Sequence, residues 1–149
     1  MLNEHSVRTL LFDACGKLPL LASLEGVRLA LETEPVRSQG PDCFLDANGS
    51  NGLMYVVGPA GDDTIPILEL LVAAGASTTH RNLSGSGPVS YAKAWRKQYS
   101  AQARQQGWKD GRWRSFVGCM RQEEWEAMHD RVIDWLVEHG ASGDEAAAF

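Results

Sequence analysis

The chain has 149 residues, a formal net charge of −5, 44% apolar residues and 22% charged residues, which suits one soluble globular domain. No apolar run approaches the ~18 residues of a membrane span, and the opening Met1-Leu2-Asn3-Glu4-His5 lacks the basic-then-apolar layout of a signal peptide. Three widely spaced cysteines, Cys15, Cys43 and Cys119, argue against a disulfide framework, so a cytoplasmic protein with reduced thiols is expected.

In chain order, Leu10 to Lys17 reads as the end of a first helix and Leu24 to Glu32 as a second helix. Pro35 to Phe44 reads as a loose loop. Ile67, Leu68, Leu70 and Leu71 carry helical spacing up to Gly75, and Val132, Ile133, Trp135 and Leu136 carry it up to Gly140. Glycine directly after the last turn is the usual helix stop, because it enters the left-handed region without a Cβ penalty. The polar, turn-rich stretch Ala76 to Gly87 predicts an exposed loop or short hairpin. Pro88 suits the first position of the next helix, since its missing N–H has no partner there.

Repetition is the strongest internal signal. Val72-Ala73-Ala74-Gly75-Ala76-Ser77 and Val137-Glu138-His139-Gly140-Ala141-Ser142 share one pattern, and Asp46 to Val56 fits the frame of Asn82 to Ala92, with Gly49 matching Gly85 at a separation of 36 residues. The stretch Gly75 to Ala92 resembles the junction between two ankyrin repeats. Gly85, Pro88, Val89 and Ala92 fall on the family's positions, while Gly87 stands for its Thr and Ser90 for its His. Those two residues tie the turn to the helix in the family, so a looser turn is expected here. The resemblance implies an all-α, ankyrin-like solenoid of stacked helix-turn-helix hairpins with short fingers. It implies a single domain over 1–149, with approximate repeats 5–45, 46–81 and 82–142.

The last repeat is enlarged. Ala92 to Gly140 spans 48 residues where Val56 to Gly75 spans 19, which places an insertion at about 100–121. The expected layout is a helix from Pro88 to about Gln106, a turn around Gly107 to Arg114, and a return helix from about Gln122 to His139. Residues 91–121 carry eight bases and one acid, against six bases and 18 acids elsewhere. This basic segment also holds Trp95, Tyr99, Trp108, Trp113 and Phe116. The return helix is acidic and carries an apolar stripe, Trp125, Met128, Val132 and Trp135, which predicts packing against the preceding helix with Arg96, Lys97 and Arg104 pairing across.

No P-loop, serine elbow or metal-binding histidine spacing is present, so neither enzyme activity nor a cofactor or metal is expected. What the resemblance implies is a protein-binding module, monomeric when free: a stoichiometric inhibitor or immunity protein acting on a partner protein such as a toxin or effector. Expected contact residues are Asp46, Asn48, Thr79, His80, Arg81 and Asn82 at the finger tips, with Trp108, Arg112 and Trp113 as an accessory patch, because Trp, Tyr and Arg dominate binding hot spots. His80 itself reads as solvated. The alternatives are a scaffolding adaptor, or nucleic-acid binding through 93–121, which the neighbouring acids disfavour.

Overall fold

The computed structural model describes residues 3–16, 22–58, 62–106, 112–115 and 118–141, with side chains except at 99 and from 102 to 122. Among these residues the fold is predominantly helical. Helix α1 (Glu4–Ala14) starts at Asn3, whose side chain accepts from the Ser6 N–H, and α2 (Leu24–Leu31) starts at Ser23, whose hydroxyl accepts from the Gly26 N–H. Such caps satisfy amides that the first helical turn leaves without partners. Helix α4 (Gly52–Val56) uses Asn51 in the same way toward Met54.

Between α2 and α4 the expected loose loop is instead ordered as a short helix, α3 (Val36–Gln39), and a 3₁₀ turn at Pro41–Cys43. Val36 and Pro41 are buried and anchor it. Two apolar anchors in ten residues give too little periodicity to announce a four-residue helix.

Helix α5 (Thr64–Ala73) and helix α7 (Gln122–Glu138) end in one motif. The Ala76 N–H donates to the Leu71 carbonyl and the Ala141 N–H to the Leu136 carbonyl, each at 2.9 Å, across Gly75 (φ +108°) and Gly140 (φ +97°). This closure satisfies carbonyls that the last turn would otherwise leave open. Helix α6 runs Pro88–Gln106, as the proline and the spacing predict.

Where a turn is expected near residues 107–114, a two-stranded antiparallel hairpin begins. Strand β1 (Arg112–Ser115) pairs with β2 (Gly118–Arg121), placing Arg112 opposite Arg121 and Trp113 opposite Met120. Four-residue strands without an apolar alternation carry almost no period-two signal.

The helices pack in pairs: α1 with α2, α4 with α5, and α6 with α7. The pairs join through two rows. Helix α4 touches both α1 and α6, and α5 touches both α2 and α7. One continuous core runs through all of them, including Leu11, Val27, Leu53, Ile67, Leu71, Val89 and Leu136. No pair could bury its apolar face alone, so each depends on its neighbour.

The apolar stripe of the return helix packs as its pattern predicts, while of the three expected cross-helix bases Arg104 lies outside the described side chains. Trp125, Met128, Val132 and Trp135 are all buried. Arg96 of α6 reaches across to Asp130 at 2.9 Å and Glu126 at 3.7 Å. Among the described residues no helix is long and apolar enough to cross a membrane.

Candidate functional site

Two polar turns, Asp46–Ser50 and Asn82–Ser86, are built alike. In the first, the Asp46 carboxylate accepts from the N–H groups of Asn48 (2.9 Å) and Ser50 (2.8 Å). The main chain closes the turn with Gly49 N–H to Asp46 O and Asp46 N–H to Ser50 O, both 2.9 Å. In the second, the Asn82 side-chain oxygen accepts from the N–H groups of Ser84 (2.9 Å) and Ser86 (3.1 Å). Gly85 N–H to Asn82 O and Asn82 N–H to Ser86 O, both 2.9 Å, close it. Each residue of one turn has its counterpart 36 positions on. Both need glycine where φ is positive, +78° at Gly49 and +79° at Gly85.

Each turn is also tied to the helix that follows it. The Tyr55 hydroxyl donates to Asp46 at 2.7 Å, and the Asn82 amide donates to the Tyr91 hydroxyl at 3.0 Å. Burial, reinforced by the bond to Asp46, raises the Tyr55 phenol above its ordinary pKa. The turn expected to be loose from Gly87 and Ser90 is tied through Asn82, to its own backbone and to Tyr91.

The turns lie against each other. The Leu83 N–H donates to the Asn48 carbonyl at 2.9 Å, the His80 Nε2 faces the Gly49 carbonyl at 2.6 Å, and the Asn82 amide reaches the Ser50 hydroxyl at 3.3 Å. A deeper tie runs from Asp42, which accepts from the Ser77 N–H at 2.9 Å and from the Asn51 amide at 3.2 Å. Thr78 in turn donates to the His139 carbonyl at 2.7 Å, joining this segment to the end of α7.

This geometry sorts the expected contact residues. Asn48, Thr79 and Arg81 are exposed. Asn82 is buried, a correction to its expected place at a tip: its side chain is spent on organising the turn. Asp46 is half-buried with three donors on it. His80 is half-buried against Gly49, a correction to the expected solvated ring. Arg112 and Trp113 lie in β1, with only their backbone described. Trp108 lies outside the described residues.

Sequence reasoning passed over three residues at this surface. Leu83 is 84% exposed at the tip of the second turn. Arg8 donates to the Leu45 carbonyl beside the first turn, and Leu45 itself is exposed. A lone leucine inside a polar stretch was the available signal for Leu83; nothing local marks Arg8, whose partner is 37 residues away.

Elsewhere, His129 is fully buried, with Nδ1 facing the Trp125 carbonyl (3.0 Å) and Nε2 the Gly58 carbonyl (3.1 Å). Its pKa is lowered, burial being the largest cause; Arg96 acts in the same sense, and the two carbonyls and Asp130 oppose it. Ile65, Met128 and Val132, with Asp62 and Arg131, line a depression of about 210 Å³. Among the described residues no group of three or more His, Cys, Asp or Glu is placed to hold a metal. Comparison with protein-family models and with curated proteins gives no match for this chain.

Proposed function

We propose that this chain is an ankyrin-like solenoid of about three repeats whose work is to bind another protein. The observation that carries the reading is the pair of matched turns, bonded internally, to their helices and to each other. The rows of helices and the 36-residue period support the same family resemblance. A rigid row of this kind holds side chains outside the core without further loss of backbone entropy on binding, which favours affinity. It carries Arg81, Leu83, Asn48 and Thr79 outward.

In its most concrete form the protein is a stoichiometric inhibitor, of immunity type, that covers a partner such as a toxin or effector. The test is affinity capture from the native cell, followed by titration of purified protein against the captured partner. Loss of the partner's activity at one equivalent supports inhibition. A one-to-one complex with full activity would instead make the protein an adaptor. Recovery of no stoichiometric protein across growth states would remove the binding reading.

A further inference from the structure

We propose that Asn48 is a site of spontaneous isoaspartate formation, and that this change unties the first turn from the second.

The chain has four asparagines, Asn3, Asn48, Asn51 and Asn82, and glycine follows only Asn48 and Asn51. Glycine matters because the reaction begins at the nitrogen of the next residue. With no side chain there, that nitrogen can close on the asparagine amide carbon. The structure separates the two pairs. Asn51 is fully buried at the start of α4. Its side-chain oxygen accepts from the Met54 N–H, and its amide donates to Asp42 and to the Ser77 carbonyl, each at 3.2 Å. Ring closure there would break all three bonds inside the core. Asn48 is exposed, and among the described residues its side chain makes no hydrogen bond, because Asp46 holds only its main-chain N–H. What restrains the reaction is the bond from the Gly49 N–H to the Asp46 carbonyl at 2.9 Å. A bond in a surface turn opens far more readily than a packed core.

The Gly49 nitrogen loses its proton to water or hydroxide and attacks the Asn48 Cγ. The bond from Cγ to the amide nitrogen breaks, and that nitrogen takes up a proton and leaves as ammonia. One water then opens the succinimide ring left behind. Attack at Cγ yields aspartate. Attack at the former main-chain carbonyl carbon yields isoaspartate, whose chain runs through Cβ and Cγ. Nothing is oxidised or reduced: one water enters and one ammonia departs.

Isoaspartate changes the turn in two ways. The main chain gains one carbon inside a turn whose ends are held by the Asp46 N–H on the Ser50 carbonyl at 2.9 Å. The former Asn48 carbonyl, which accepts the Leu83 N–H at 2.9 Å, becomes part of a carboxylate outside the main chain. The bond that joins the turns therefore loses its fixed acceptor. Ordinary aspartate adds the same charge but keeps the main chain, so it leaves that bond in place.

The test ages the purified protein in mildly alkaline buffer, native and in urea, and locates the products by peptide mass spectrometry. A protein isoaspartate methyltransferase, which methylates isoaspartate and not aspartate, counts the isoaspartate. In the native protein, product at residue 48 is expected to exceed product at residue 51 at least tenfold; in urea the two should be comparable. Asn48→Gln, at an exposed position and slower because its ring is larger, should remove most of the native methylation with an unchanged circular dichroism spectrum. Hydrogen exchange at the Leu83 amide should rise at least tenfold in the aged protein and stay at the parent rate in Asn48→Asp. Equal reaction at both positions in the native protein, or none at 48 while the unfolded chain reacts, would overturn the site. Isoaspartate at 48 with Leu83 exchange unchanged would overturn its effect on the turns.

Discussion

Asp46 and Asn82 hold the same position in two successive turns, and their bonds to the following tyrosine run in opposite directions. Tyr55 donates its hydroxyl hydrogen to Asp46, whereas Asn82 donates an amide hydrogen to the Tyr91 oxygen. The amide also has a second hydrogen, which reaches the Ser50 hydroxyl of the preceding turn. The repeat thus keeps the backbone contacts of the side-chain oxygen and varies only the atom beside it.

That relationship predicts different outcomes for two changes at one site. Asn82→Ala removes the acceptor for two backbone amides and both amide donations, and should cost about 2–3 kcal/mol. Asn82→Asp keeps the acceptor and can receive the Tyr91 hydroxyl as Asp46 receives Tyr55, so it should cost about 1 kcal/mol or less at neutral pH. Urea unfolding of the two variants beside the parent protein measures both.

Gly49→Ala should loosen the stack. The new Cβ would sit 3.2 Å from the Leu83 Cγ and 3.3 Å from the Leu83 nitrogen, at a φ of +78°. The strain is about 1–2 kcal/mol, and the Leu83 amide should exchange with deuterium faster as its bond to Asn48 lengthens. Gly75→Ala has open space around its Cβ, so it should show backbone strain without altering exchange at Leu83.

The buried imidazole of His129 makes stability depend on pH in a defined direction. Its folded pKa lies below the ordinary value near 6.5. As pH falls below 6.5 the unfolded chain takes up this proton before the folded one, so stability is lost from there down through the folded pKa. Comparing parent and His129→Asn in urea at several pH values isolates the effect. The parent's stability relative to the variant should shrink on acidification; a constant difference from pH 7.5 to 5 would contradict it.

Cys15 should be chemically silent in the native protein. It is fully buried, and burial pushes its thiol up to about 12, so almost no thiolate forms at pH 8. Alkylation followed by peptide mass mapping should find Cys15 labelled only after denaturant is added. The half-buried Cys43 should label earlier, although burial raises its pKa as well.

Much of the fold was legible because helices announce themselves by period and punctuation. Pro88 marks the start of α6, and Gly75 and Gly140 mark two ends, as observed. The 36-residue repeat was legible through Gly49 and Gly85. The roles of individual turn residues were not. Asn82, His80 and Thr79 look alike in a polar stretch, yet the first two turn inward onto Ser50 and Gly49, which lie 32 and 31 residues away. That burial is decided by the docking of one turn on another, and no local pattern encodes it.

The two turns differ in what meets their glycine carbonyl. In the first turn the Gly49 carbonyl is met by the ring of His80, which leads into the second turn; at the matching place in the second turn, the Gly85 carbonyl is met by Arg81, which leads into that same turn. The first turn therefore leans on its neighbour here, whereas the second is braced from within. Damage to the second turn should therefore spread to the first, whereas damage to the first leaves this brace of the second in place.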